Sequence, residues 1–209
     1  MASLFILTCG MPRFLFCMLL LTQSVFAFAQ DDVEVVLHED VINKVLAAIG
    51  NISDTAEYKV LFYTGTYKWT VIDPKIELET NGQAEFKCDV LVEAGFVHYR
   101  SEVVGKADVS YDKQKNLINV KIVHGIFEVY TRVLGSKLHI TNIDLAQYYT
   151  DPLTFEGPMS LVTAIPFTMP DNSIKTIYAV PEDCMLIVQE HKIVVNCEVG
   201  FTDKDPAKK

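Results

Sequence analysis

From Tyr63 onward apolar and polar residues alternate along most of the chain, a period that predicts half-buried strands rather than helices. Tyr63, Gly65, Tyr67, Trp69 and Val71 share one face; Pro74 interrupts the run, and Ile76 and Leu78 resume it. Ala84, Phe86, Cys88, Val90 and Val92 form the next such face, then Val97, Tyr99, Val103, Ala107, Val109 and Tyr111, then Ile118, Val120 and Ile122.

The turns between these runs can be deduced from their phase. A one-residue slip would move every side chain to the wrong face, so loop parity is fixed. Leu78 and Ala84 stay in phase across a three-residue loop, Thr80-Asn81-Gly82, with Gly82 left-handed. Gly95-Phe96 supplies a two-residue turn with glycine first, the type II′ preference, and Lys113 to Asn116 supplies a four-residue loop. Four strands and three turns therefore agree on one antiparallel meander.

Before the meander the period is different. Val33, Val35 and Leu37 suggest a short strand. In Glu39 to Ile49 the residues Val41, Ile42, Val45, Leu46 and Ile49 make one apolar stripe, with Gly50 at the C-cap position, which predicts a helix. After Gly125, Phe127, Val129, Val133, Leu138 and Ile140 continue the β pattern. Residues 142–149 fit a helical turn, stopped by Asp151-Pro152. Prolines 158, 166, 170 and 181 then divide the chain into short strands or loops. Two alternating runs close it, on Cys184, Leu186 and Val188 and on Ile193, Val195, Cys197, Val199 and Phe201. With Glu190-His191 as a two-residue turn, 188 faces 193, 186 faces 195 and Cys184 faces Cys197, a pair close enough for a disulfide in an oxidising compartment. The third cysteine beyond the leader, Cys88, is left over.

The N-terminal segment reads as an address. Arg13 precedes the apolar run Phe14–Leu21, and Ala27-Phe28-Ala29 gives a small-x-small signal for cleavage between Ala29 and Gln30. A retained anchor is the alternative, but the run is short for a bilayer. Residues 30–209 then form one β-rich domain, with a charged tail over 203–209 expected to fray. The chain has a formal charge of −9, and the leader contains one arginine and no acid. The remaining chain is more acidic still, which disfavours nucleic acid and anionic membrane surfaces as partners. No later stretch is long and apolar enough for a transmembrane helix.

Catalytic and cofactor signatures are missing: no His-Glu-x-x-His, phosphate loop, dinucleotide fingerprint or nucleophile elbow. No cofactor, metal site or enzymatic activity is therefore expected. Five histidines are scattered singly. His124 alone has the phase of the buried face, opposite Gly105, and reads as a core histidine. Glu39-Asp40 reads as a helix N-terminal charge pair. Asn51-Ile52-Ser53 matches a glycosylation sequon.

The strand at residues 33–37, the helix Glu39–Leu46, the run Lys68-Trp69-Thr70-Val71, the long paired strands, Pro166-Phe167-Thr168-Met169-Pro170-Asp171 and the final hairpin occur in a telling order. That layout, over most of residues 33–201, resembles bacterial members of the tubular lipid-binding (TULIP) superfamily. The resemblance implies a long, curved antiparallel meander sheet wrapped around a short N-terminal helix, mainly β with minor α, enclosing an apolar groove for a lipid or similar small molecule. The helix is shorter than is usual there, which implies a shallow or filled groove. Inward positions Trp69, Phe86, Val90, Tyr99 and Val103 are the candidate lining, and they serve equally as a core. A single short helix covers little of an extended apolar face, so a ligand, a partner subunit or the segment 142–165 folding back must complete it. A structural β-sandwich with a filled core and an outer-membrane β-barrel remain as alternatives.

Overall fold

The apolar stripe between Glu39 and Ile49 folds as expected. In the computed structural model a strand β1 (Val33–His38) leads directly into helix α1 (Glu39–Ile49), which buries Ile42 and Leu46 and ends at Gly50, φ 78°. The structure describes residues 32–60, 62–158 and 164–204. The expected leader with its Ala29/Gln30 cleavage site, residues 159–163 of the segment 142–165, and the tail beyond Lys204 lie outside the described residues.

The meander follows as β2 (Ser53–Val60), β3 (Tyr63–Leu78), β4 (Ala84–Ala94), β5 (Val97–Asp112) and β6 (Leu117–His124). Together with β9 (Leu153–Glu156) these make a six-stranded antiparallel sheet in the order β2-β3-β4-β5-β6-β9. All three turns take the deduced form. Gly82 at φ 81° closes the three-residue loop by donating to Glu79 O, Gly95 at φ 65° opens the two-residue turn, and residues 113–116 link Asp112 to its partner Leu117. Pro74 does not end its strand. A bulge between Ile72 and Lys75 absorbs it, shifting the buried phase from Trp69 and Val71 to Ile76 and Leu78.

A second sheet runs β1-β12-β11-β10, built from β10 (Ala164–Thr168), β11 (Ile174–Gln189) and β12 (Lys192–Thr202). The closing hairpin has the expected register. Val188 faces Ile193, Leu186 faces Val195, and Cys184 faces Cys197, to which it is disulfide-bonded. A separate hairpin, β7 (Ile126–Val133) and β8 (Ser136–Asp144), turns at Leu134-Gly135 and is followed by a single 3₁₀ turn, Leu145–Gln147. The sheets are strongly curled half-barrels, and the described residues are mainly β with one α-helix.

β2 was not foreseen. In its sequence, SDTAEYKV, only Ala56, Tyr58 and Val60 alternate with charged residues, a short run on an edge strand that buries none of them fully. His124 corrects the expected phase. A bulge pairs Lys106 with His124 but Ala107 with Ile122, so the imidazole is exposed and lies 3.6 Å from Asp144.

Helix α1 covers the open edge of β3 beyond the reach of β2. Asn43 donates to Ile76 O (2.9 Å) and accepts from Ile76 N (2.7 Å), and Glu39 accepts from Leu78 N (2.7 Å). Glu39 also lies 3.3 Å from His191 Nδ1, so it joins helix, meander and final hairpin at one corner.

Candidate functional site

Alternation places all five candidate lining residues on the inner face of the six-stranded sheet, where the chain itself covers them. Trp69, Phe86, Val90 and Val103 are buried, none more than 1% exposed. The Trp69 ring meets Phe127 and Tyr148 edge-on, at 5.8 and 4.7 Å between centroids, and Phe86 meets Tyr149 at 5.6 Å. Tyr99 is half-buried, stacks on Tyr130 at 4.1 Å, donates to Glu128 O and accepts from Tyr130 N. The covering residues belong to the β7–β8 hairpin and the stretch Leu145–Tyr149. Residues 142–149 thus supply part of the filler that an uncovered sheet requires.

Burial accounts for the chemistry of this core. It pushes the Cys88 thiol up to about 12, so the leftover cysteine is a weak nucleophile packed as an apolar side chain. It likewise holds the Tyr99 and Tyr149 phenols up at about 12. Among the described residues no group of three or more His, Cys, Asp and Glu stands close enough to hold a metal ion. No helix among them is long and apolar enough to cross a membrane.

A cleft of about 870 Å³ forms an open trough over β5 and β6. Lys106, Asp108, Lys115, Asn119 and Lys121 line it together with Val109, and none of the five candidates does.

The uncovered apolar surface lies elsewhere, on the four-stranded sheet. In β12 the residues Ile193, Val195 and Cys197 alternate on the buried face, each 0% exposed. The irregularity in its pairing falls in β11, between Pro181 and Cys184, so β12 keeps phase and Val199 and Phe201 continue the same face. Phe201 pairs with Ala179, and Ile177 and Lys175 pair with Ile165 and Phe167, which brings those side chains onto it too. Along this one face burial gives way to exposure: Phe201 is 63% exposed, Phe167 60%, Ile165 45% and Met169 37%. The opposite face is mixed: Pro166, Thr168, Thr176 and Thr202 lie on it beside Tyr178, Val180 and a 71% exposed Ile174, and Glu182 folds over Gly200 there.

The free edge of β10 is blunted. Met169 N donates to Ser173 O, so the pairs 167/175 and 165/177 exchange hydrogen bonds and the groups of 164, 166 and 168 point outward. Pro166 has no N–H to offer on that side, which discourages a further strand.

No protein-family model matches the chain, and no curated protein matches it in sequence.

Proposed function

We propose that this chain is an exported, non-enzymatic binding module that holds an acyl chain or similar apolar molecule on the inner face of its four-stranded sheet. The observation that carries this reading is the passage of one β12 face from full burial at Ile193, Val195 and Cys197 to 63% exposure at Phe201. Together with Phe167, Ile165 and Met169 it leaves a few hundred square ångströms of apolar surface uncovered by any described residue. At ~25 cal/mol per Å² that surface is worth several kcal/mol to an occupant. The leader-like N-terminus and the disulfide support export to the periplasm or outside. The resemblance of the sequence layout to tubular lipid-binding domains agrees with an apolar ligand, and the blunted β10 edge favours a molecule lying on the face over a strand added at the rim.

The binding surface is thus moved from Trp69, Phe86, Val90, Tyr99 and Val103 to the far end of the neighbouring sheet. A fluorescent fatty-acid titration tests this. Phe167→Ser with Phe201→Ser is expected to weaken binding at least about tenfold with an unchanged circular dichroism spectrum, since both side chains are exposed. Val90→Ala is expected to lower stability and leave affinity alone. Equal affinity in the serine variant contradicts the assignment, and no saturable binding by any form favours the filled-core scaffold.

A further inference from the structure

We propose that three hairpin tips at one end of the molecule form a docking end that inserts Phe62, Phe96 and Leu134 into the interfacial layer of a lipid bilayer. These residues are 97%, 103% and 99% exposed, so each large apolar side chain stands wholly in solvent. Each sits in a different turn: β2–β3, β4–β5 and β7–β8.

The register brings the turns to the same end. Tyr67 pairs with Ala94, so the β2–β3 turn and Gly95-Phe96 both lie beyond that pair. Phe127 packs on Trp69, and Thr131 Oγ1 donates to Ala94 O at 3.2 Å, so β7 climbs in the same direction. Leu134 extends three residues past Thr131, roughly 10 Å of strand. The opposite end holds Gly82, against Val188 O, and Lys113, bonded to Glu182 O, so the crown is distinct from the β11–β12 surface.

Leu134 also breaks a local rule. It takes φ 51° at the first position of a two-residue turn, where glycine, asparagine or aspartate is favoured. A residue that costs the turn and buries nothing points to selection for something outside the fold.

The form of the crown selects its partner. Three separate convex points suit a fluid layer that closes around each of them, whereas a folded partner needs a continuous complementary face. Half-exposed Tyr63 stands beside them, as amphipathic aromatics do at membrane interfaces. Exposed Lys59 and Arg132 lie next to the tips with no ion-pair partner among the described residues. Glu93, the nearest carboxylate on β4, has Lys68 and His98 as its strand neighbours. Exposed Glu57, two residues from Lys59 and level with the Gly95-Phe96 turn, offsets that charge, so the tips carry little net charge on an acidic chain, which fits shallow, largely apolar insertion into a zwitterionic surface.

The test is co-sedimentation of the protein, purified without detergent, with phosphatidylcholine vesicles. Wild-type protein is expected to partition onto them, and Phe62→Ser/Phe96→Ser/Leu134→Asn to partition at least about tenfold more weakly. All three positions are exposed and asparagine suits the turn, so the variant folds. In Phe96→Trp, emission is expected to shift blue with vesicles and to be quenched by brominated acyl chains, while buried Trp69 stays unaffected. Equal partitioning of the triple variant, an unshifted emission from the Phe96→Trp variant or no wild-type partitioning overturns the proposal. Self-association lost in the triple variant, without lipid binding, overturns it in favour of a second copy of the chain.

Discussion

Asn43 closes the edge of β3 with a single amide that both donates to and accepts from Ile76. Asn43→Ala leaves a partly buried N–H and C=O unpaired and is expected to cost about 1–3 kcal/mol in urea unfolding. The sequence did not reveal this role, because an asparagine on the polar side of a helical stripe looks like any solvated residue. Titration offers a second residue-scale test. Tyr99 and Tyr149 have phenols held up at about 12 by burial, against an ordinary 10.0. The unfolded chain therefore gives up these protons first, and stability is expected to fall as pH rises from about 10 to about 12, with no contribution below that window. Phenolate absorbance checks it: these two rings should ionise together with unfolding. His124 shows the limit of residue-level reading, since one bulge beside Lys106 reverses its face.

At the level of elements, the meander turns were legible because loop parity had to reconcile two apolar faces. The same arithmetic placed Cys184 opposite Cys197. Peptide mapping under non-reducing conditions should recover that link, and reduction is expected to cost about 3 kcal/mol for so short a loop. Edge strand β2 went unread because its alternation is confined to Ala56, Tyr58 and Val60, three half-buried residues in a run too short to stand out. The β7–β8 turn was hidden for a different reason. Leu134-Gly135 lacks the usual Asn or Asp signal, and its first residue is held at φ 51°. Leu134→Gly should relieve that strain and stabilise the fold by about 1 kcal/mol in thermal or urea unfolding.

For the whole molecule, alternation identified which residues face inward but not which inward face stays uncovered. Trp69 and Phe86 met their cover in Phe127, Tyr148 and Tyr149, residues far along the chain. Phe201 shares a periodicity with Ile193 yet runs past the end of its cover, a difference that only the packing of two sheets decides. The central claim is that this uncovered end holds an apolar molecule. Native mass spectrometry of the protein, purified without detergent, tests it most directly. The account predicts a mass above that of the bare chain, with an apolar molecule released into organic solvent and lost from the Phe167→Ser/Phe201→Ser variant. A bare-chain mass, an empty extract and no uptake of added fatty acid would contradict it.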